Sequence, residues 1–225
     1  IHGLTLQSLA SDQSQLLEVH RFTGGPFIEN GYLVRCTATD QVAVVDPGAC
    51  ASEMVEVLEQ TGWSVQAIYL THAHIDHVSG VSRVREKHLA PIYLHPKDLP
   101  LYEALPQQAE FFGVSCFETP PIDEDLFDHQ ILQVAGIQLK VHFTPGHSPG
   151  HISLEVGQHV FCGDVLFQGS IGRTDLPGGS YEVLIQTIQE RIIPLGDDRI
   201  LYPGHGPQTT IKQERRSNPF LIGSL

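Results

Sequence analysis

The strongest signal in the sequence is Thr71-His72-Ala73-His74-Ile75-Asp76-His77, where four side chains that can bind a metal fall within six residues. The apolar run 67–70 leads directly into it and is typical of a buried strand. Side chains two residues apart on an extended strand end point the same way, so His72 and His74 can share one metal ion. A helix beginning near Asp76 would project Asp76 and His77 toward a neighbouring point. The stretch therefore predicts one short loop that serves two adjacent metal ions.

The crowding of these four side chains needs an explanation. A histidine taken alone is more often a surface residue or a hydrogen-bonded residue of the core. Three imidazoles and a carboxylate held close together lose hydration, which destabilises the fold unless a bound ligand compensates for it. We therefore interpret the three histidines and the aspartate of residues 71–77 as metal ligands.

Three later residues repeat this context, each just past a predicted strand and next to a glycine. They are His147 in Thr144-Pro145-Gly146-His147, Asp164 in Cys162-Gly163-Asp164, and His205 in Pro203-Gly204-His205-Gly206. Glycine permits a tight approach of the backbone, and loops at one end of a sheet are where sites are usually built. With the first stretch, they supply five histidines and two aspartates.

The number of ligands decides between one metal ion and two. A mononuclear catalytic zinc needs three protein ligands and an open position, so seven ligands are too many. We predict two divalent ions: His72, His74 and His147 on the first, Asp76, His77 and His205 on the second, and Asp164 bridging them. Nitrogen and oxygen ligands suit zinc, which we expect, and equally iron or manganese.

The predicted site has a defined chemistry. Two cations roughly 3.5 to 4 Å apart lower the pKa of a water between them from 15.7 toward about 7 and polarise a carbonyl group. This produces a hydroxide nucleophile at neutral pH, and we expect Asp76 to act catalytically by accepting a hydrogen bond from it. The sequence contains no G-x-S-x-G elbow and no P-loop, so acyl-serine and nucleotide-phosphate mechanisms have no support.

Strand and helix patterns alternate along the chain, which predicts an α/β layered domain. Strands are predicted at 42–45, 67–70, 139–143, 159–162 and 199–202. Helices are predicted from a Ser52 cap to a Gly62 stop, after Asp76, and from a Ser180 cap with Leu184, Ile188 and Ile192 on one face. The segment 97–113 also has a helical pattern, and its aromatic residues Tyr102, Phe111 and Phe112 are expected to be buried or to cover the core.

Residues 118–128 hold a Pro-Pro step and five acidic residues, which is typical of a solvated connection. Strands followed by a helix occur on both sides of it. We therefore expect a single domain over 1–225 made of two similar halves, roughly 1–120 and 121–225.

Composition excludes several classes of partner. The 225 residues include 26 acidic and 13 basic side chains, a formal net charge of −13, and this charge repels nucleic acid. No apolar run approaches ~18 residues, and no basic segment precedes an apolar one at the N-terminus. We expect no membrane partner and a cytoplasmic protein with reduced thiols, while a homo-oligomer stays open. The cysteines are Cys36, Cys50, Cys116 and Cys162.

These residues resemble the metallo-β-lactamase superfamily, whose mark is an H-x-H-x-D-H loop followed by separated His, Asp and His. The resemblance runs from 30–32 and 46–48 to 205–207. Within the superfamily the chain looks most like the short form of the glyoxalase II group (hydroxyacylglutathione hydrolases), on the segments 169–175 and 214–220. The resemblance implies a four-layer αββα sandwich with the site at one edge of the two sheets. It also implies a small-molecule substrate, a thioester of the S-2-hydroxyacylglutathione type.

Departures from related groups narrow the expected activity. Only 20 residues follow His205, so we expect the helical glutathione-binding domain of the group to be absent or reduced. Asp164 stands where many lactam-cleaving members carry Cys, which argues against β-lactamase activity. His74 stands where flavodiiron members carry Glu, which argues against an oxygen-reducing module.

Two alternative functions stay open. The chain also resembles persulfide dioxygenases, which use one iron at positions matching His72, His147 and Asp164, and a two-His, one-carboxylate face suits O2 chemistry. The second alternative is a metal-binding protein without catalysis.

Three further residues have two interpretations each. Arg173 could bind a substrate carboxylate or pair with Asp175. Asp46 could orient a ligand histidine or serve only as a turn residue. His151 is expected to hydrogen-bond within its loop and not to bind metal.

Overall fold

The structure is a computed structural model that describes residues 17–115 and 118–222. Within these residues two six-stranded sheets are formed. The first sheet has its strands in sequence order: β1 Leu17–Gly24, β2 Glu29–Cys36, β3 Gln41–Val45, β4 Ser64–Tyr69, β5 Ile92–Leu94 and β6 Glu124–Asp125. The second contains β7 Ile131–Val134, β8 Ile137–Phe143, β9 Ile152–Val156, β10 His159–Gly163, β13 Ile200–Pro203 and β14 Thr209–Thr210. A separate hairpin joins β11 Leu166–Phe167 to β12 Ser170–Ile171.

The helices lie between the strands along the chain. They are α1 Ala51–Thr61, α2 Ile75–Val78, α3 Val81–Lys87, α4 Leu99–Glu103, α5 Leu105–Phe112, α6 Tyr181–Thr187 and α7 Ile211–Ser217. A short 3-10 turn, Pro96–Asp98, precedes α4. A π-helical turn, Ile188–Ile192, and a 3-10 turn, Ile193–Leu195, continue α6.

The two sheets have related pairing. Strands β1 to β3 pair antiparallel, and β3 to β6 pair parallel. In the second sheet, in the order β14-β13-β10-β9-β8-β7, strands β7 to β10 pair antiparallel and β13 then joins β10 in parallel. Each sheet thus begins with an antiparallel meander and continues with a parallel strand. The division into two similar halves of one domain stays a prediction.

The alternation of side chains along the strands explains the layers, because neighbouring residues of a strand face opposite sides of its sheet. Val42 and Val44 of β3 pack with the helices α1 and α3, whereas Ala43 and Val45 pack against the second sheet. On the far side of the second sheet, Val160 and Leu201 belong to the cluster that contains α6. The order is helix, sheet, sheet, helix, and the predicted αββα sandwich is confirmed.

Most predicted elements are confirmed, with small shifts at their ends. The helix predicted from Ser52 begins instead at Ala51 with Cys50 as its cap, and Cys50 makes no capping hydrogen bond through its side chain. It ends as predicted at Gly62, which has a φ of 70°. The Ser180 cap is confirmed, because the Ser180 side chain accepts a hydrogen bond from the Val183 amide. The residues Leu184, Ile188 and Ile192 are all buried on one face.

Three other expectations need comment. Phe111 is 78% exposed, so the prediction that it is core or cover is wrong, whereas Tyr102 is buried. The acidic segment 118–128 is more than a connection, because β6 within it extends the first sheet. The described cysteines Cys36, Cys50 and Cys162 are buried free thiols, and Cys116 lies outside the described residues. In the part of the chain that the structure describes, no helix is long and apolar enough to cross a membrane.

The two serines proposed as helix caps offer a matched test. Ser180→Ala should lower the free energy of unfolding by about 1 kcal/mol, because the Val183 amide loses its acceptor. Ser52→Ala should leave it unchanged or slightly raised, because Ser52 lies exposed inside the first turn of α1 and alanine has the higher helix propensity. Urea unfolding measures both, and equal losses would contradict the assigned caps.

Candidate metal centre

The seven predicted ligands all lie where strands end at one edge of the two sheets. Residues 71–77 follow β4, His147 follows β8, Asp164 follows β10 and His205 follows β13. The structure brings all seven side chains together in three overlapping groups. Two of them are the sets predicted for the two ions, and the third joins His72 and His77 to Asp164. Both sheets therefore supply the site, and metal binding by these residues stays a prediction.

The first group consists of three buried imidazoles, those of His72, His74 and His147. His147 Nε2 lies 2.8 Å from His74 Nδ1 and 3.2 Å from His72 Nε2. Three ring nitrogens thus point at one another, as nitrogen ligands around a common cation do. This group has the composition predicted for the first ion.

The second group consists of Asp76, His77 and His205. His205 Nε2 lies 3.2 Å from Asp76 Oδ2, and His77 Nε2 lies 3.8 Å from the same oxygen. This is the set predicted for the second ion.

Asp164 lies between the two groups. Its Oδ2 is 3.4 Å from His147 Nε2 and 3.4 Å from His205 Nε2, while its Oδ1 is 3.3 Å from His77 Nε2. One carboxylate therefore contacts a member of the first group and two members of the second. This is the position that the sequence predicts for a bridging ligand.

Asp46 fixes the orientation of two of the imidazoles. His77 Nδ1 lies 3.0 Å from Asp46 Oδ2, which can only accept, so this nitrogen carries the proton. The same oxygen accepts the Thr71 hydroxyl, whose own oxygen is left to accept from His72 Nδ1 at 3.0 Å. Both rings are thereby left with their Nε2 lone pairs facing the site. Of the two interpretations of Asp46, the structure supports the orienting one.

Backbone carbonyls orient two more rings in the same way. His147 Nδ1 donates to the Arg173 carbonyl at 2.7 Å, and His205 Nδ1 donates to the Phe27 carbonyl at 3.1 Å. These contacts turn Nε2 of both rings toward the other ligand side chains. His74 is the exception, because its Nδ1 faces His147.

Burial and charge divide the site into two electrostatic environments. Burial lowers the pKa of His72 well below its usual value and that of His74 to about 3, so both rings are neutral and able to coordinate. Burial favours the neutral form of Asp164 too, but His77 and His147 outweigh it and hold its pKa well below its usual value. Burial also opposes charge on His205, yet hydrogen bonds with Asp164 and Asp76 raise its pKa to about 10. The carboxylates around His205 therefore stabilise a positive charge at the second group, either a ring proton or a metal cation.

Unpartnered buried atoms support a metal at this place. Within the described residues, His77 Nε2 and Asp164 Oδ1 are buried without a hydrogen-bond partner, although they lie only 3.3 Å apart. Leaving both unpaired costs free energy, and a cation between them would satisfy both. The donor set, imidazole nitrogen with carboxylate oxygen, fits zinc, iron or manganese and does not choose among them.

Asp164 occupies space that is free only because Gly172 and Gly204 have no side chain. A Cβ on Gly204 would lie 2.2 Å from Asp164 Oδ1, and a Cβ on Gly172 would lie 1.8 Å from the Asp164 carbonyl oxygen. The glycine beside His205 therefore permits the close approach that the sequence predicts, and Gly172 adds a second one.

Asp98 was missed by the sequence analysis. Its buried carboxylate accepts hydrogen bonds from the Ala73 amide, from the Ser148 hydroxyl and from the Gly150 amide. It thus ties the 71–77 loop to the loop that carries His147. The motif around it gave no signal, because these partners are 25 to 52 residues away.

Asn30 and Tyr32 hold the loop that carries His205. The Asn30 side-chain amide donates to the Pro203 and Gly206 carbonyls, and the Tyr32 hydroxyl donates to the Pro203 carbonyl at 2.6 Å. These contacts explain why residues 30–32 accompany the ligands in the sequence pattern. They link β2 of the first sheet to the loop of His205.

The other singled-out residues lie close to the site. The Arg173 guanidinium forms two hydrogen bonds with the Asp175 carboxylate, and both side chains are exposed. Of its two interpretations, the pair with Asp175 is therefore the one present here. His151 accepts the Asp164 amide on Nε2, so its Nδ1 donates to the Thr144 hydroxyl. It supports its loop without joining either ligand group.

A cleft of about 300 Å³ opens onto the ligands. His74, Asp76, His147, Asp164 and His205 line its floor, and its walls are mainly apolar. The wall segment 167–171 is supported by α7, because Glu214 accepts the Gly169 amide and Asn218 donates to the Ser170 carbonyl. The segments 169–175 and 214–220 thus contact each other beside the cleft.

The Asp98 contacts generate a prediction about metal retention. Asp98→Ala should weaken metal affinity about 10- to 100-fold, because the 71–77 loop is no longer tied to the His147 loop. Asp98→Asn keeps an acceptor and should lose less. Metal titration followed by elemental analysis measures both variants on folded protein.

A matched control is Asp123→Ala, which removes a carboxylate that pairs with Arg85 away from the ligand loops. It should change stability without changing metal affinity. Unchanged affinity in Asp98→Ala would show that the carboxylate has no part in holding the ligands.

Comparisons with known proteins agree with this geometry. A family model described as Metallo-beta-lactamase superfamily matches residues 24–205. The hydroxyacylglutathione hydrolase GloC of Haemophilus influenzae is 43% identical over 188 residues, which are 80% of this chain and 86% of that protein.

Two solved structures are similar to this chain in both fold and sequence. BLEG-1, described as a B3 metallo-beta-lactamase, is 37% identical with a TM-score of 0.86 over 92% of this chain and all of that one. TTHA1623, solved in a di-iron-bound form, is 40% identical with a TM-score of 0.82 over 90% of this chain and all of that one. The family model covers most of the chain and both structures match it closely, so the chain belongs to the metallo-beta-lactamase superfamily.

Proposed function

We propose that this chain is a metal-dependent hydrolase that cleaves thioesters of the S-2-hydroxyacylglutathione type. The observation that carries the proposal is Asp164, whose carboxylate faces both ligand groups at 3.3 to 3.4 Å. Similarity to GloC, which is named a hydroxyacylglutathione hydrolase, supports the substrate class.

His72, His74 and His147 would hold one ion, Asp76, His77 and His205 the other, and Asp164 would lie between them. When bound, two neighbouring cations acidify a water and polarise the thioester carbonyl. Water adds to the carbonyl carbon, the C–S bond breaks, and the products are a carboxylic acid and a thiol. Zinc is the ion we propose first, and the di-iron form of TTHA1623 makes iron a specific alternative.

Asp76 is the side chain that we assign to orienting the water. It lines the cleft, and its pKa is below the usual value: burial would raise it, but His77 and His205 outweigh that effect. The carboxylate is therefore ionised and accepts hydrogen bonds at neutral pH. The apolar walls of the cleft limit the access of other water to the reacting carbonyl.

A persulfide dioxygenase with one iron is the second candidate. Its support is that His72, His147 and Asp164 form a two-His, one-carboxylate face within the larger set, with His147 Nε2 3.2 Å from His72 Nε2. A single iron at this face would leave the second group unused. The unpartnered His77 Nε2 beside Asp164 favours two ions instead.

One combined assay separates these activities. We expect close to two metal ions per chain and rapid thiol release from S-D-lactoylglutathione. One iron per chain with O2 uptake on glutathione persulfide would favour the dioxygenase. Cleavage of a β-lactam without thiol release would favour the activity in the description of BLEG-1. A metal-loaded chain with no thiol release, no O2 uptake and no β-lactam cleavage would favour a metal-binding protein without catalysis.

Loss of the bridging position gives a direct test of the site. Asp164→Ala should lose occupancy of both ions and, with them, at least about 100-fold in kcat, because one carboxylate serves both groups. Asp197→Ala, which removes an exposed carboxylate paired with Arg215, is the matched control and should keep both. An active Asp164→Ala chain with two ions would contradict the bridging role.

A further inference from the structure

A second groove extends away from the metal cleft. It has a volume of about 360 Å³, and His74 stands at its inner end. The helices α4 and α5 form one wall, with Leu101, Phe111 and Phe112, and the turn at Leu176 and Pro177 forms the other. Phe112 and Leu176 line both the groove and the metal cleft, so the two spaces adjoin.

The groove is apolar and leaves a large aromatic side chain in water. Phe111 is 78% exposed, and it meets Phe112 edge to face with ring centroids 4.9 Å apart. One exposed apolar residue alone is normal. Here Phe111 joins the half-buried Leu101, Phe112 and Leu176 on one concave surface next to a candidate catalytic site, which is typical of a ligand subsite.

Hydrogen bonds fix the groove relative to the metal ligands. Gln108 of α5 accepts the Ile75 amide and donates to the Ala73 and Leu101 carbonyls. The polar atoms of Gln108 are therefore used to join the wall to the 71–77 loop. A ligand group in the groove would be held at a set distance from the reacting centre.

The charge around the groove decides which part of a thioester fits there. Among the described residues that line it, the one formally charged side chain is Asp175, and Arg173 neutralises it in a two-bonded pair. The glutathione arm of the proposed substrate carries two carboxylates and an ammonium group, which need polar partners. The acyl arm carries no charge, and its one hydroxyl group lies beside the carbonyl, so any further substituent on it is free to be apolar.

We propose that this groove binds the acyl arm of the thioester, so that the enzyme prefers 2-hydroxyacyl groups that carry a large apolar substituent. The inference rests on the proposed function, which gives the reaction, and adds the part of the substrate that determines specificity. Phe111 is then a specificity-determining residue whose exposed ring packs on the substrate.

Binding of thioethers tests the groove without any reaction. S-benzylglutathione and S-methylglutathione share the thiol arm and have no carbonyl to hydrolyse. Isothermal titration of the metal-loaded chain should find S-benzylglutathione bound about tenfold more tightly, because its ring removes apolar surface from water. Phe111→Ser should reduce that ratio to about twofold or less.

The matched control is Phe127→Ser, which changes another exposed phenylalanine that lies outside the groove. It should keep the tenfold ratio. Equal affinities in the unchanged chain, no binding of either thioether, or an unaltered ratio in Phe111→Ser would overturn the inference. A dimer that Phe111→Ser dissociates, with equal thioether affinities, would place a second copy of the chain on the groove instead.

Values of kcat/KM for two thioesters test the acyl preference separately from the proposed thioesterase activity. The unchanged chain should have a higher kcat/KM for S-mandeloylglutathione than for S-lactoylglutathione, and Phe111→Ser should lower the first value and leave the second. Thiol release from neither thioester would refute the proposed function, and the thioether ratio would still decide what the groove binds. Release from both with equal kcat/KM would refute the acyl preference alone.

Discussion

The contacts of Asp164 with both groups of histidines are the constraint on which the rest of the site depends. Its two oxygens lie 3.3 to 3.4 Å from His77, His147 and His205, which come from loops of both sheets. A carboxylate reaches all three only at the shared edge of the two sheets, which pack face to face. Gly172 and Gly204 have no side chain where one would strike Asp164. The sandwich is therefore the frame that brings distant loops to one carboxylate.

Buried hydrogen bonds convert that frame into a defined site. Asp46, the Thr71 hydroxyl and two backbone carbonyls accept the outward ring protons of four imidazoles, so the inward nitrogens are left as ligands. Asp98 and Asn30 join loops from different sheets. Asp46, which orients His77, has a φ of 48°, a backbone conformation that is unfavourable for residues other than glycine. Such strain is tolerated where the surrounding contacts fix the residue.

Much of the fold and of the candidate site could be predicted because both depend on local patterns. The continuous apolar run Val42 to Val45 marks a strand with two buried faces, and residues 71–77 place four ligand side chains beside a strand end. Asp98 could not be found in this way, since its partners lie on loops that only the fold brings near. Phe111 was misread for a related reason: a helical pattern shows an apolar residue, whereas its exposure depends on which surfaces remain uncovered.

Two cations are expected to occupy adjoining places on either side of Asp164. Anomalous diffraction from crystals of the metal-loaded chain, recorded at the absorption edge of the bound metal, measures this directly. We expect two peaks about 3.5 to 4 Å apart, with Asp164 between them. One should lie among His72, His74 and His147, and the other beside Asp76, His77 and His205. A single peak, or a pair of peaks with the Asp164 carboxylate turned away from either, would contradict this expectation.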